Sequence, residues 1–585
     1  MHAPRSRATQ RGRTLSAVGA ICYPTAMHLP TPGGFVAAAL ATATIVAGSA
    51  TAVGASAPAS PSVSATLGGP RGSIVVAAEE EPATADWIHR DAGIAWGVWV
   101  LGGQTLPQAF VVQPDGSYAP GAVLAGEPVL EPGPPQRVTY RIRDEAVWSD
   151  GEPITSKDFS YLWRQVTKGR AISDRTGYTD IESVDTSDPK VAVVTFSEPY
   201  AAWRDLFGGF YFLLPSHLLQ GKDRHAAMKD GYAFSGGPWK LQGGARGWKQ
   251  GRSLTLVPND RYWGTKPSIG RVTFQFVPET GPAIQAVKTG QVDAAYPTPA
   301  IGILDEIEEE SNLQFATSLG NTYEALWLNT TKRPLDSRAV RQALAYATDR
   351  DAIVEQVLTP AVRRGSVLQS FNVPTYQQYF TPSFERYTRD LGRVDELMTG
   401  DGWTRNDDGV WEKGGRRARV ELNTTSDVGG REIVERLLQS QWEDAGFQVS
   451  IDNADPGTLF GDWLPNGTFS VGIFSSVGSP DPDLCILFCT SAIPTDDNGG
   501  AGLNITYLSS AAIDGPLTAQ LREPDAGARA PLVRDGQAAL ADEVPAIPLY
   551  QAPTVFVWNA DRIGGPLADN TTSGPFYNLN EWTLR

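Results

Sequence analysis

The segment TYEALWLNTTKRPLDSRAVRQALAYATDRDAIVEQVL, residues 322–358, changes its pattern of apolar residues partway along. Its first part, Tyr323–Asn329, is bulky and apolar with a polar end, which predicts a strand. Pro334 marks a turn, after which Asp336 or Ser337 supplies a side-chain oxygen suited to capping a helix. Apolar residues then recur on one helical face, at Val340, Ala343, Leu344 and Ala347. The segment therefore predicts a strand that leads through a tight turn into a helix.

A second, shorter helix is expected to begin at Asp349 or Asp351 and to close at Pro360. A generic strand, turn and helix explains this periodicity, but not the joint occurrence of five particular residues, namely Asn329, Pro334, Arg341, Ala343 and Asp349. With these residues, the segment resembles the crossover of the family 5 extracellular solute-binding proteins of ABC importers, the dipeptide-, oligopeptide- and nickel-binding group. In that family the segment carries the chain from one lobe into the other.

Further runs resemble the same family in the same order along the chain. WSDGEPITSKDF, residues 148–159, matches the family pattern W-x-D-G-x-P-x-T-x-x-D-F. Four more runs follow it: SGGPWKL at 235–241, NDRYW at 259–263, VPAIPLY at 544–550 and GPFYNLNEW at 574–582. We interpret Asp150, Glu152 and Asp158 of the first run as turn and capping groups rather than as catalytic carboxylates.

The resemblance implies an α/β fold, the two-lobed periplasmic-binding-protein fold of type II in its large peptide-binding class, with an extra β-rich subdomain in the first lobe. A chain of 585 residues is too long for one hydrophobic core, which agrees with this division. We expect lobe I to comprise residues 73–325 and 551–585, with the subdomain at about 94–235, and lobe II to comprise residues 326–550. The hinge strands are expected near Leu326 and Leu549.

The first 57 residues read as an export signal. They contain four arginines and no acidic residue, and they include the uncharged run Phe35–Val53, followed by small residues suited to cleavage. The alternative is an N-terminal anchor, because the run is just long enough to span a bilayer. No lipobox is evident, since the bulky Ile21 precedes Cys22. Residues 58–72 are expected to form a flexible spacer that leads to a folded part on the outer side of the plasma membrane.

Composition and motifs exclude several classes of function. The formal net charge of −16 repels nucleic acid, so no nucleic-acid partner is expected. The sequence contains neither a GxxxxGK[ST] phosphate-binding loop nor a GxSxG nucleophile turn. The histidines beyond the signal, His89, His217 and His225, are widely separated in sequence, which argues against a histidine-based catalytic or metal site. We therefore expect a monomer with no cofactor, no metal and no enzymatic activity.

Cys485 and Cys489 are close in sequence in the run DLCILFC. In an exported protein such a pair is suited to a small disulfide loop, and a pair of buried free thiols is the alternative.

The resemblance also implies where the ligand lies. In peptide binders of the family, a strand before an Asp-Pro pair offers its edge to the peptide backbone, so that main-chain hydrogen bonds give affinity whatever the side chains. The matching residues are Phe474, Ser475 and Ser476, followed by Val477.

One detail of the family's peptide site is absent from this chain. The peptide-binding relatives hold the peptide's α-ammonium with an aspartate a few residues before the Asp-Pro pair. Residues 477–480 contain no aspartate, so Asp481 and Asp483 are the candidate substitutes.

Four aromatic residues are further candidates for the cleft, namely Trp96, Trp239, Tyr323 and Phe371. The alternative is that each is a core aromatic. The chain has 16 tryptophans, and tryptophan rings stack on sugar rings, which keeps a glycan or glycolipid ligand open.

The sequence therefore predicts an exported, non-enzymatic solute receptor that captures a peptide or peptide-like solute in the cleft and delivers it to an ABC permease in the membrane. The alternative is an envelope protein of the same fold that binds a glycan or glycolipid, or acts as a regulator, without transport. A hydrolase using Asp481 and Asp483 is disfavoured, because no nucleophile or positioned base accompanies them.

Overall fold

The computed structural model describes residues 70–89, 95–172, 175–209, 211–363, 365–371, 379–426, 429–455, 458–478, 481–495, 502–570 and 572–585. The predicted signal or anchor at 1–57, Cys22 and most of the predicted spacer at 58–72 lie outside the described residues.

The strands are β1 (Ile74–Ala78), β2 (Phe110–Val112), β3 (Tyr118–Pro120), β4 (Val129–Glu131), β5 (Arg137–Arg141), β6 (Ile181–Asp188), β7 (Val191–Phe196), β8 (Trp239–Leu241), β9 (Trp248–Lys249), β10 (Ser253–Pro258), β11 (Val272–Phe276), β12 (Ala294–Ala295), β13 (Leu313–Leu328), β14 (Thr404–Arg405), β15 (Trp411–Lys413), β16 (Arg416–Arg417), β17 (Arg419–Asn423), β18 (Gln448–Ile451), β19 (Val471–Val477), β20 (Ala546–Asn559), β21 (Ile563–Gly564) and β22 (Thr583–Leu584).

The α-helices are α1 (Ala95–Gly97), α2 (Gly103–Thr105), α3 (Ser156–Lys168), α4 (Ser216–Leu219), α5 (Arg224–Met228), α6 (Thr280–Lys288), α7 (Ile303–Glu308), α8 (Arg338–Ala347), α9 (Arg350–Val357), α10 (Thr359–Val362), α11 (Leu391–Gly400), α12 (Gly429–Asp444), α13 (Cys485–Phe488), α14 (Ala511–Leu521) and α15 (Ala526–Glu543). Short π-helical turns occur at Val98–Gly102 and Leu459–Trp463, and 3-10 turns at Tyr178–Asp180, Trp203–Asp205, Gly244–Gly247, Thr490–Ala492 and Leu579–Glu581.

Two long strands run through the middle of the largest sheet. Its strand order is β18-β17-β19-β13-β20-β12-β1-β11-β10-β8, with β9 paired to β10. β13 and β20 are antiparallel over most of their length, with a register shift between Leu319 and Tyr323. After this shift, at residues 323–327, β13 pairs with both β20 and β19. Before it, at residues 313–319, β13 pairs with β20, and β20 pairs with β12. The two strands therefore join one half of the sheet to the other.

Each half of the sheet has its own hydrophobic core. One core includes the buried side chains of Trp327, Leu344, Trp442 and Ile473. The other includes Trp148, Phe159, Trp239, Phe274 and Trp582. This arrangement is the two-lobed α/β fold that the sequence predicts. The first core also takes in Ile284 of α6 and Ile307 of α7, from the range assigned to lobe I, and the exact lobe boundaries stay a prediction.

A separate four-stranded antiparallel sheet, β4-β5-β7-β6, lies within the range predicted for the β-rich subdomain. α3 packs on it through buried Phe159, Leu162 and Val166. At the start of α3 the Asp158 carboxylate accepts hydrogen bonds from the Thr155 amide at 2.9 Å and from Ser216. Asp150 accepts from the Glu152 amide at 3.1 Å, so both acids have the turn and capping contacts that the sequence indicates.

The crossover segment differs from the prediction at two helix ends. Ser337 precedes α8 as expected, but its hydroxyl bonds to the Asp401 carboxylate at 3.0 Å instead of capping the helix. Pro360 does not close α9, because it lies in the first turn of α10, where proline's missing N–H has no partner to lose. Asp349 caps α9 by accepting from the Ala352 amide at 2.9 Å.

Candidate functional site

The C-terminal half of β19 has one open edge. β19 pairs with β13 along its length, from Val471↔Leu328 to Val477↔Thr322. On its other side, β17 reaches only Val471 and Gly472. Within the described part of the chain, no strand pairs with β19 on that side beyond Gly472.

The direction of the backbone groups on this edge follows from their neighbours. The Gly478 amide donates to the Asn321 carbonyl at 2.7 Å, on the β13 side. The Ile473 carbonyl accepts from Thr424 Oγ1 at 2.6 Å, on the β17 side. Because successive residues of a strand direct their backbone groups to opposite sides, Ser475 and Val477 direct theirs to the open edge.

A buried ion pair lies beneath this edge. Arg431 Nε, from α12, donates to Glu324 Oε1 of β13 at 2.9 Å. Ser475 Oγ donates to Glu324 Oε2 at 2.6 Å, and Arg431 Nη1 donates to Thr425 Oγ1 at 3.0 Å. All four side chains are buried. The Ser475 hydroxyl is therefore committed to the Glu324–Arg431 pair. The residue as a whole is only 1% exposed, so neighbouring segments must move before a ligand reaches its backbone.

The predicted site residues on either side of Ser475 differ in exposure. The Phe474 side chain is buried and stacks on the Trp327 ring at a centroid distance of 5.3 Å. Ser476 and Val477 are partly exposed.

Asp481 is engaged by a cation within the protein. Its two carboxylate oxygens accept hydrogen bonds from Arg529 of α15, one of them from Nη1 at 2.7 Å. Arg529 Nε also donates to Gln520 Oε1 at 2.8 Å, and Gln520 Nε2 donates to the Pro482 carbonyl at 3.0 Å. These contacts tie the loop after β19 to α14 and α15. Asp481 is thus ion-paired before any ligand arrives, which opposes its predicted role as the ammonium receptor.

The loop continues through Asp483, whose amide donates to the Asp481 carbonyl at 2.8 Å, into the disulfide between Cys485 and Cys489. Between the two cysteines, buried Phe488 stacks on Trp327 at 5.8 Å between centroids. The disulfide closes the single turn of α13 against the same core that supports β19.

All four predicted cleft aromatics are core residues in the structure. Trp239 is wholly buried in one core, and Tyr323 and Phe371 are buried together in the other, with ring centroids 5.9 Å apart. Their burial leaves no ring face for a ligand to stack on. Trp96 is also buried, in an aromatic group with Trp99 and Tyr296.

A second polar edge lies in the other half of the sheet, and sequence reasoning missed its functional potential. Glu79 directly follows β1, and its Oε1 accepts from Thr298 Oγ1 at 2.6 Å. Burial raises the Glu79 pKa to about 7; the Thr298 hydrogen bond opposes the rise, and neighbouring Glu80 adds to it. The signal in the sequence is the acidic run EEE placed immediately after a buried strand.

A small recess borders Glu79. Its walls come from the ends of β1 and β11, the start of α6 and the segment after β12, through Ala77, Val277, Thr280, Ala283, Tyr296 and Pro297. Glu79 and Glu279 are the charged side chains that line it. β1, β11 and β12 are parallel, so the recess lies at their carboxyl ends.

Two more carboxyl groups near the sheet edges carry raised pKa values. Burial raises the Glu435 pKa to about 7; its Oε2 accepts from Asn453 Nδ2 at 2.9 Å. Burial also raises the pKa of Asp569, which accepts from Tyr296 at 3.1 Å and from Thr554.

Two of the histidines that are distant in sequence are adjacent in space, contrary to their expected scatter. The rings of His89 and His225 stack with centroids 3.7 Å apart, and His225 Nδ1 lies 3.1 Å from Asp86 Oδ2. Arg224 also pairs with Asp86, at 2.7 Å. Across the described ranges, no group of three or more histidine, cysteine or acidic side chains is placed to hold a metal ion.

No helix among the described residues is both long enough and apolar enough to cross a bilayer.

Several curated proteins named for binding are similar to this chain. It is 26% identical over 498 residues to the oligopeptide-binding protein OppA of Mycobacterium tuberculosis, covering 82% of this chain and 80% of that protein. It is 25% identical over 451 residues to the nickel-binding periplasmic protein of Escherichia coli, covering 75% and 83%. Over 201 residues, 32% of this chain and 30% of the relative, it is 33% identical to the probable monoacyl phosphatidylinositol tetramannoside-binding protein LpqW of Mycobacterium tuberculosis.

Solved structures share the fold. The periplasmic EDTA-binding protein EppA superposes with a TM-score of 0.78 at 23% identity, covering 88% of this chain and 97% of that one. The oligopeptide-binding protein AppA of Bacillus subtilis, in complex with a nonapeptide, gives a TM-score of 0.70 at 19% identity, covering 88% and 99%.

The family model for the bacterial extracellular solute-binding proteins, family 5 middle, matches residues 133–492, more than half of the sequence. That range contains the crossover segment, β13 and the open edge of β19. The chain belongs to the family 5 bacterial extracellular solute-binding proteins.

Proposed function

We propose that this protein is the extracytoplasmic substrate-binding component of an ABC importer, and that it captures a peptide by adding the peptide's backbone to the open edge of β19. The observation that carries the proposal is the backbone edge at Ser475 and Val477, with which no strand of the described residues pairs. An extended peptide satisfies such an edge through main-chain hydrogen bonds, whatever its side chains.

Neighbouring contacts make this edge a rigid template. The Glu324–Arg431 pair holds Ser475 from below, and the Asp481–Arg529 pair holds the loop beyond Val477. A preorganised edge loses little conformational entropy when a peptide docks, which favours affinity. The names of the relatives OppA and AppA, both oligopeptide-binding proteins, agree with a peptide ligand.

The wider assignment follows from the family. Two lobes joined by β13 and β20 close over a solute by hinge motion, and the closed form is what a membrane permease receives. We place the hinge between the lobes at the register shift between Leu319 and Tyr323, next to the boundary predicted between residues 325 and 326. The protein acts outside the cytoplasm as a monomer without enzymatic activity, and its partners are the solute and the permease, not nucleic acid.

A glycan or glycolipid ligand is the second candidate. LpqW, the relative with 33% identity over 201 residues, is named as a probable binder of a mannosylated lipid. The aromatic group of Trp96, Trp99 and Tyr296 contains the kind of rings that stack on sugars, but all three are buried in the structure and must become exposed before a sugar can stack on them.

A backbone-specific variant tests the peptide proposal. Val477→Pro removes the one amide donor directed to the open edge at that position, and Val477→Ala keeps it. Loss of one such bond is worth about 1 kcal/mol, so we expect V477P to weaken peptide binding roughly fivefold and V477A to bind as wild type does.

The measurement is calorimetry with penta-alanine, together with native mass spectrometry of the purified protein. Equal affinities for the two variants refute the role of the edge. A co-purified mannoside or lipid in place of a peptide favours the second candidate.

A further inference from the structure

The recess beside Glu79 has the position of a ligand subsite. In open α/β sheets, ligands bind outside the carboxyl ends of parallel strands, and the recess lies at those ends of β1, β11 and β12. β17, β18 and the open edge of β19 present the corresponding ends of the other half of the sheet. A ligand held by both lobes therefore meets both sets of strand ends.

The chemistry of the recess suits a cation. Glu79 forms no ion pair among the described residues. Its carboxyl accepts from the neutral Thr298 hydroxyl at 2.6 Å and also has a hydrogen bond with the Thr298 backbone. The second acid of the lining, Glu279, carries the same sign of charge. Helix α6 begins here, but Pro282 removes one of its free amide donors, and an anionic ligand group would face two carboxylates. The remaining walls are apolar or hydroxylated, so the charge of the recess favours a cation. The recess is too small in this structure for a water molecule and must widen to admit a cation.

The other half of the sheet does not supply a carboxylate that is available to a ligand ammonium. The family resemblance implies an ammonium contact in the loop near the Asp-Pro pair, and the carboxylate of that loop, Asp481, is bound by Arg529 in this structure. Arg529 is buried and cannot leave without stranding a charge. A ligand ammonium therefore requires an acceptor elsewhere in the cleft.

We propose that Glu79, with its carboxyl held in place by Thr298, binds a primary ammonium group of the ligand, supplied by the peptide's N-terminus or by a lysine side chain. This inference rests on the proposed function, because it assigns a specificity subsite to the same peptide cleft. In this proposal the carboxylate that binds the ligand ammonium belongs to lobe I, whereas the family resemblance implies one from lobe II.

The subsite makes binding depend on pH. The groups around the Glu79 carboxyl are Glu80, Glu279, Tyr296, Thr280 and Thr298, and none of them is a cation. With a pKa raised to about 7 by burial, Glu79 is partly protonated at neutral pH. An ammonium favours the carboxylate, so binding releases a proton and weakens as the pH falls below 7.

The test compares three probes by calorimetry: penta-alanine, N-acetyl-penta-alanine and N-acetyl-Ala-Ala-Lys-Ala-Ala. The variant is Glu79→Gln, and the control is Glu80→Gln, which removes the same charge one residue away and outside the recess lining. Because Glu80 raises the Glu79 pKa, this control should keep the preference for an ammonium and release fewer protons at pH 7 than wild type. Titrations at pH 7 in two buffers of different ionisation enthalpy give the number of protons released.

We expect wild type and E80Q to bind at least one ammonium-bearing probe about tenfold or more tightly than N-acetyl-penta-alanine. E79Q is expected to bind all three probes equally and to lose the proton release. A preference for penta-alanine identifies the N-terminal amine as the ligand group, and a preference for the lysine probe identifies the side chain.

Two results overturn the inference alone: wild type binds the three probes equally, or E79Q keeps the preference and the proton release. In either case peptide binding itself remains. Failure of wild type to bind any probe contradicts the proposed function, and the Glu79 inference falls with it.

Discussion

Replacing Asp481 by asparagine tests whether this carboxylate serves the fold or the ligand. Arg529 is 2% exposed, and its guanidinium donates to Asp481 and Gln520. Removing the carboxylate leaves a buried guanidinium without its counter-charge, which costs about 3–5 kcal/mol. An exposed pair gives the comparison: Arg386–Asp542 has side chains 44% and 59% exposed, so Asp542→Asn is expected to cost less than about 1 kcal/mol.

The assay is urea unfolding followed by tryptophan fluorescence, for D481N, R529Q, D481N/R529Q and D542N. We expect D481N to lower the unfolding free energy far more than D542N, and the double variant to recover much of that loss because it removes the stranded charge. The fraction of D481N that stays folded should bind peptide with nearly the affinity of wild type. If D481N unfolds like wild type but abolishes the distinction between free and acetylated peptides, Asp481 is the ammonium receptor and our interpretation of the ion pair is wrong.

Three further predictions concern titration and the disulfide. Thr298→Val removes the hydrogen bond that holds down the Glu79 pKa, so that pKa should rise above its value of about 7; carboxyl NMR measures it, and an unchanged value contradicts the assignment of that bond. Glu435 has a folded pKa raised from 4.5 to about 7, so wild-type stability should fall as pH rises through that window; urea unfolding of Glu435→Gln should lack this slope, and a retained slope would exclude Glu435 as its source. Cys489→Ser opens a loop with a sequence separation of 4, which should cost about 2 kcal/mol of unfolding free energy in the chain-entropy description, whereas no loss under oxidising conditions would show that the bridge does not stabilise the fold.

Local periodicity was sufficient to predict the elements that build the lobes. Tyr323–Asn329 lies in β13 up to Leu328, and α8 and α9 follow where apolar spacing and Asp349 indicate them. These elements depend on residues that are close in sequence. The buried side-chain amide of Asn329 stabilises the end of β13 by donating to the Gly467 and Phe469 carbonyls.

The parts of the candidate site that sequence reasoning missed depend on contacts between distant residues. The Ser337 hydroxyl bonds to Asp401 instead of capping α8, and the Asp481 carboxylate is ion-paired with Arg529. The folded chain brings these partners together, and their spacing in the sequence does not reveal them. Tyr323, Trp239 and Phe371 lie near the predicted lobe edges, yet their large apolar rings gain more from burial than from lining a cleft. Glu79 was missed for the converse reason: its significance comes from the walls of the recess, which four separate segments supply.

A crystal structure of the protein loaded with a bound ligand tests peptide capture on β19 most directly. We predict an extended peptide whose backbone lies within hydrogen-bonding distance of Ser475 and Val477, on the side of β19 that β17 leaves open. A ligand bound elsewhere, or an edge of β19 covered by the protein's own chain in the loaded form, would contradict it.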